Sequence, residues 1–336
     1  MEKRNISKDI LDKILPEIPH TIIDMLPDSP ENLLKYACRV KEINFSASIK
    51  DENIKKLMRE YLLSDEEYLR TFFYVMAISF HNKIPVDNPE IAVVVAQTGS
   101  GKSHLTAKLL KENSNFVFID SDKYKHFRYD AKKIANEYPV LYPFLTGPDA
   151  YDHADNIYKY AIDNNYNVIK ETAPSPNKHL LGFVKNDKYR VSAHVLAVGK
   201  LNSLLSIHER YELQILSRLK TAKLTPIIRH NESYNALIGC IQKLIDEGYS
   251  EQIIVYRRGE ENSNYVPTQI YPSDEYNNQI DAIIYAREID NKETIKMSEK
   301  RVKRIVSQMD DRNALNEQYA QLDEVSNIKE ENDGVY

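Results

Sequence analysis

The stretch that most limits what this chain can fold into is IAVVVAQTGSGKS, Ile91 to Ser103. An unbroken apolar run of this length, rich in β-branched valine, suits a strand buried on both faces. The small residues behind it follow the pattern G-x-x-x-x-G-K-[ST], in which successive backbone N–H groups wrap phosphates, a lysine reaches their oxygens and the hydroxyl holds Mg²⁺. Gly101, Lys102 and Ser103 are in place, Gly99 adds a second flexible position, and Ala96 stands where the pattern has its first glycine. A methyl at the end of a strand need not obstruct the N–H groups of residues 98 to 103. The loop is therefore expected to bind ATP or GTP through Gln97, Thr98, Gly99, Ser100, Gly101, Lys102, Ser103 and His104, with Ser103 as a Mg²⁺ ligand. The chain has 9 glycines in 336 residues, so two in one loop mark a place that needs backbone freedom.

Around this loop the sequence changes rhythm. The first 87 residues read as helices. Ser29-Pro30-Glu31 is a helix start, and Ile54, Leu57, Met58, Tyr61 and Leu62 fall on one helical face. Ser64-Asp65-Glu66-Glu67 forms a capping box before a segment, Tyr68 to Phe80, that is apolar nearly all round and so expected to be buried. Two prolines between Asn82 and Pro89 mark a linker. Strands are then expected at Ile91–Ala96, Phe116–Asp120, Val168–Glu171, Val191–Val198 and Ile253–Tyr256. Helical patterns at Lys102–Lys111, Ala154–Asn164, Lys200–Leu219 and Tyr234–Asp246 separate them. Apolar strands joined by helices imply a parallel sheet covered on both faces. The expected fold is α/β, a P-loop NTPase-type parallel sheet flanked by helices, with an N-terminal all-helical region. Its domains would be 1–87 (helical), 88–273 (phosphate-loop domain) and 274–336 (a C-terminal helical segment and polar tail).

Composition narrows the class of partner. The hydrophobic fraction is 42% and the mean hydropathy −0.53, values of a soluble chain with a real core. No run reaches the roughly 18 apolar residues of a membrane span. The charged start MEKRNISKDILDKI lacks a signal peptide's apolar stretch, so the expected location is cytoplasmic. Cys38 and Cys240 form neither a disulfide framework nor a metal cluster. A net charge of −5 gives no global basic field, which argues against nucleic acid as a partner.

Two acidic strand ends follow the loop. Phe116-Val117-Phe118-Ile119-Asp120-Ser121-Asp122 places aspartates where a sheet of this type directs its carboxyl ends toward the γ-phosphate. One aspartate can take a proton from a substrate hydroxyl, while the other can cap the next helix. Ile169-Lys170-Glu171-Thr172 ends the third strand, and Glu171 can order Mg²⁺ through water or hold a substrate hydroxyl. Positive charge for phosphoryl transfer is offered by His208-Glu209-Arg210-Tyr211-Glu212 and Thr221-Ala222-Lys223-Leu224-Thr225-Pro226, a helix and turn suited to a lid.

Taken in order, QTGSGKS, FIDSD, YNVIKET, LAVGKLNSLLSIHERYE and TAKLTP resemble the zeta-toxin family, kinases of bacterial toxin–antitoxin systems that phosphorylate UDP-N-acetylglucosamine or related nucleotide sugars. The resemblance runs roughly from Ile91 to Arg258, and Leu196 to Glu212 is its most specific part. It implies that Lys102 binds phosphate, Ser103 holds Mg²⁺, Asp122 is the general base, and Arg210 neutralises charge at the transferring phosphate. Asp120, Glu171 and Thr172 would lie on the substrate side. The family's second catalytic arginine falls at Lys223, which keeps the charge and loses the bidentate fork; Arg218 and Arg229 stand nearby. Ala173 removes a hydroxyl from the substrate stretch. The implied activity is an ATP-dependent kinase acting on a nucleotide-sugar hydroxyl, toxic to growth. Alternatives are a kinase with another acceptor (an antibiotic or a polynucleotide end) and a non-catalytic nucleotide-sensing module. Residues 1–87 would be either a packing extension or an antitoxin fused in cis, the other arrangement being an antitoxin in trans.

Overall fold

The computed structural model describes residues 3–43, 45, 49–138, 141–176, 179–181, 188–217, 222, 224–259 and 265–333. The chain divides into two compact units: Met1–Pro89 with Asn115–Val168, and Glu90–Ser114 with Ile169–Tyr336. The segment 1–87 thus shares its unit with 115–168.

In the first unit the N-terminal region is interrupted by a short ribbon, which corrects the all-helical expectation. Strand β1 (Lys3–Asn5) pairs antiparallel with β2 (Cys38–Val40), Arg4 opposite Arg39. Three-residue strands are too short for alternation to be legible, and their partners lie more than thirty residues apart in the chain. Helices α1 (Lys8–Ile14), α2 (His20–Ile23), α3 (Pro30–Leu34), α4 (Glu52–Glu60) and α5 (Asp65–Phe80) complete this region. Their starts carry the expected caps: Ser29 Oγ accepts from the Asn32 amide and Ser64 Oγ from the Glu67 amide. As expected from its apolar surface, α5 is buried on most of its faces, with Tyr68, Phe72 and Phe73 fully enclosed.

The rest of this unit is β4 (Phe116–Ile119), α7 (Ser121–Tyr124), α8 (Ala131–Glu137) and α9 (Tyr142–Asp163). Helix α9 starts a dozen residues before the predicted Ala154, because Pro143 sits in its first turn and Pro148 is accommodated inside it. Three donors meet its buried Asp149: Arg39 at 2.8 Å, Arg128 at 2.9 Å and the Leu63 amide at 3.0 Å. The Val40 amide donates to Asp152 at 2.9 Å. The Arg39–Asp149 ion pair and the two amide hydrogen bonds thus fasten residues 39–63 to α9.

The second unit holds the parallel sheet. Its strands are β3 (Glu90–Val95), β5 (Asn167–Thr172), β6 (Arg190–Ala197), β7 (Ile253–Arg257) and β8 (Thr268–Tyr271), in the order β5-β3-β6-β7-β8. β3 runs parallel to β6, with Val95 opposite Val195, and β6 runs parallel to β7, with Ala197 opposite Arg257. β8 is antiparallel and lies outside the five expected strands: TQIY is short, half-exposed and followed by Pro272, so only its pairing with β7 makes it a strand. Helices α6 (Lys102–Glu112), α10 (Lys200–Leu216), α11 (Ile227–Asp246), α12 (Gln279–Asp311) and α13 (Asn316–Asp333) complete the unit. The C-terminal helices pack on α10, where Leu201, Leu204 and Leu205 meet Ile305, Met309, Leu322 and Val325. Among the described residues no helix is long and apolar enough to cross a membrane.

Candidate nucleotide site

The phosphate loop joins β3 to α6. Gly99 and Gly101 both adopt positive φ (78° and 90°), a region that a side chain would strain. At Gly99 space decides as well, since a Cβ there would stand 2.1 Å from the Ser203 carbonyl oxygen on α10. Gly101 is the N-cap of α6, so the first N–H groups of an eleven-residue helix open onto the loop. Ala96 is fully buried, keeps an ordinary negative φ, and donates its amide to the Thr172 carbonyl at 3.3 Å. Its methyl belongs to the core, so the missing first glycine leaves the loop's shape intact.

Neighbouring elements hold the loop from behind. Gln97 is fully buried, and its Nε2 donates to the Val198 carbonyl at 2.7 Å. Ser100 Oγ donates to the Gln97 carbonyl at 2.8 Å, and the Thr98 amide donates to Ser233 Oγ on α11 at 3.3 Å. Lys102 Nζ folds over the loop and donates to the Ala96 and Gln97 carbonyls, both at 3.0 Å. Ser103 and His104 are exposed on the first turn of α6.

Ser203 is the hub of this support. Its hydroxyl meets His230 Nε2 at 2.7 Å and bonds the Gly199 carbonyl at 2.9 Å, and its own carbonyl crowds Gly99. Burial pushes His230 down to about 4, so the ring is neutral near pH 7. In the sequence Ser203 stands out only as part of the Leu196–Glu212 motif; the hydroxyl of Leu-Asn-Ser at a helix start is the signal for its role.

The other predicted residues are distributed as follows. Glu171 and Thr172 end β5 beside β3, and Glu171 Oε1 accepts from Thr106 Oγ1 of α6 at 2.7 Å. Arg210 is exposed on α10 and donates to Thr225 Oγ1 at 3.3 Å. Its motif neighbours serve the fold. Glu209 pairs with Arg301 and Arg304 on α12, and the buried Glu212 takes both arms of Arg312 at 2.7 Å. His208 is buried and pushed down to about 4, chiefly by desolvation, so it supplies no positive charge at neutral pH. Arg229 pairs with Glu232 at 3.2 Å. Lys223 and Arg218 lie outside the described residues.

In the other unit, Asp120 and Asp122 divide two tasks. Asp120 is the N-cap of α7, and its Oδ1 accepts from the Asp122 and Lys123 amides at 3.0 and 3.2 Å. The Asp122 side chain is 85% exposed and pairs with Lys125, whose own side chain is buried.

A strand, a loop with two left-handed glycines and a helix carrying the lysine, set in a mostly parallel sheet, define a phosphate-loop α/β protein. The chain belongs to the zeta toxin family, whose description it matches over residues 79–269. A toxin zeta of Streptococcus agalactiae is 27% identical over 182 residues, covering 53% of this chain and 63% of the relative. A toxin zeta of Enterococcus hirae is 26% identical over 181 residues, covering 52% and 63%. The match thus spans less than two thirds of the length of these relatives. The solved structure of the PezAT chromosomal toxin–antitoxin system of Streptococcus pneumoniae has the same fold, with a TM-score of 0.60 at 21% identity over 73% of this chain and 98% of that one.

Proposed function

We propose that this chain is an ATP- or GTP-dependent kinase that transfers the γ-phosphoryl group to a hydroxyl of a nucleotide sugar of the UDP-N-acetylglucosamine type, and that the transfer inhibits growth. The observation that carries this reading is the loop itself, with Gly99 and Gly101 in the left-handed region at the N-terminus of α6 and Lys102 hanging over it. Family membership supports the reading. Lys102 would exchange its two loop carbonyls for phosphate oxygens, and loop and helix N–H groups would hold the rest.

Mg²⁺ favours six oxygens and usually keeps few protein ligands. Among the described residues no three His, Cys, Asp or Glu side chains form a metal-binding group, while the exposed Ser103 hydroxyl offers one suitable oxygen. The donor set therefore fits an ion that phosphate oxygens and water complete. Bound there, Mg²⁺ would neutralise charge on the phosphates. Asp122 would take the acceptor hydroxyl's proton and Arg210 would stabilise charge on the transferring group. Glu171, Thr172 and Asp120 would orient the acceptor, and Lys223 would supply a single-point charge where the family has a fork. Incubation with ATP, Mg²⁺ and a panel of UDP-sugars, read by mass spectrometry, tests this. One phosphate gained by a sugar, and lost with Lys102→Ala, is expected; nucleotide consumed with every sugar unchanged overturns the acceptor.

The buried ion pairs support reading residues 1–87 as a packing extension, with any antitoxin acting in trans. Arg39 and the Leu63 and Val40 amides neutralise or bond carboxylates of α9, so excision of 1–87 would strand Asp149 and Asp152 with fewer donors. A chain starting at residue 88 is expected to be unfolded by circular dichroism. A folded truncation with raised activity would restore the cis-antitoxin reading.

A further inference from the structure

Between α11 and α12 lies a cleft of about 350 Å³, lined by Tyr234, Asn235, Ile238, Ile284, Arg287, Glu288 and Asn291. Arg287 is 6% exposed, yet it makes no ion pair among the described residues. It donates through Nη2 to the Tyr234 carbonyl at 3.0 Å, and its guanidinium carbon lies 3.9 Å from the centre of the Tyr234 ring. Its Nε is buried and has no hydrogen-bond partner. The other two arginines that are equally buried, Arg39 and Arg128, share Asp149. A buried cation without a counter-charge is costly, and a ring face returns only part of that cost. Burial accordingly lowers the pKa of Arg287.

We propose that this cleft is a binding site for a small organic carboxylate, whose oxygens take the Arg287 guanidinium and whose apolar body lies on Tyr234, Ile238 and Ile284. Charge selects the class. Glu288 stands exposed at the cleft, so with Arg287 the site is neutral overall, which suits a monoanion better than a phosphate dianion. The cleft borders working parts of the unit. Tyr234 follows Ser233, which receives the Thr98 amide of the phosphate loop, and the Asn291 side chain lies against Gly199 at the head of α10.

Calorimetric titration of the full chain with phenylacetate, isovalerate, leucine and inorganic phosphate tests the site without reference to kinase activity. Saturable binding of at least one carboxylate is expected, weakened at least about tenfold by Arg287→Gln. Because Arg287 also braces α11, the second variant is Ile284→Glu, at a 41%-exposed position, which adds like charge and leaves the melting temperature unchanged. No binding by any carboxylate, or binding that Ile284→Glu leaves intact, overturns the proposal. Phosphate binding that Ile284→Glu weakens, with the carboxylates silent, overturns the ligand class.

Discussion

Asp149 on α9 and Asp122 at the head of α7 belong to the same compact unit, and their side chains are 1% and 85% exposed. Asp149 spends its oxygens on two guanidiniums and an amide; burial still raises its pKa, because those donors offset only part of the desolvation. Among the described residues the charged partner of Asp122 is Lys125, and the rest of its side chain is exposed. A carboxylate held from all sides cannot move a proton for a substrate, whereas one held from a single side can. Donors and access, more than residue type, separate the buried structural acid from the exposed one proposed as the base.

Substitution at the two sites should split stability from turnover. The largest stability effect is expected for Asp149→Ala, which removes the acceptor shared by Arg39, Arg128 and the Leu63 amide and leaves the two arginines only Asp65 and Asp130, at a cost of about 3 kcal/mol. Urea denaturation measures it, and a loss below about 1 kcal/mol would mean that the three donors are not acting as a buried network. Asp122→Asn should do the reverse. Its unfolding midpoint should stay at the wild-type value while kcat falls about 10²–10⁴-fold with nucleotide binding kept, and full turnover would remove Asp122 from the base role.

Gly99→Ala lies between these extremes, since it meets both the Ser203 carbonyl and a strained φ. It should weaken nucleotide binding and lower stability by about 1–3 kcal/mol, read by titration and thermal melting. Unchanged binding would show that the loop yields easily.

His153 tests the acid-poor side of the same comparison. It stacks on Tyr68, and burial, aided by Arg39 and Arg128, pushes it down to about 3. Its unfolded value is 6.5, so its contribution is whole above that pH and is lost as pH falls toward about 3, where the unfolded state binds the extra proton. Asp149 slopes the opposite way and is common to both proteins, so it cancels when wild type is compared with His153→Gln. The variant's stability should fall less steeply between pH 6.5 and 4.5, by about one proton in the slope; parallel curves would mean that His153 is protonated in the fold. The smallest effect on stability is expected for Asp120→Ser, which exchanges one good cap for another and should cost no more than about 0.5 kcal/mol, while turnover falls with the loss of the carboxylate that would orient the acceptor. Full turnover would limit Asp120 to its cap.

Much of this was legible in the chain because it depends on neighbours in sequence. Ile91 to Ser103 specifies strand, loop and helix start through local preference alone, and Ser29 and Ser64 cap helices within three residues of themselves. Which of Asp120 and Asp122 caps was open, since both stand at a helix start; the backbone of α7 chose Asp120. The stretch from His208 to Glu212 was legible as a motif, and its division of labour was not. Glu209 and Glu212 are tied to arginines about ninety and one hundred residues away, leaving Arg210 as the outward-facing cation. The same distance hid β1, β2 and β8, whose strands exist only through their partners.

By itself the sequence determined the phosphate loop, the alternation of strand and helix behind it and the starts of the main helices, because each rests on contacts within a few residues. Only the tertiary structure decided that Ser203 shapes the loop, that α9 buries Asp149 between two arginines, and that Arg287 is enclosed without a counter-charge. Burial and pairing of charge are set by groups far apart in the chain, and desolvation gives those pairings their weight.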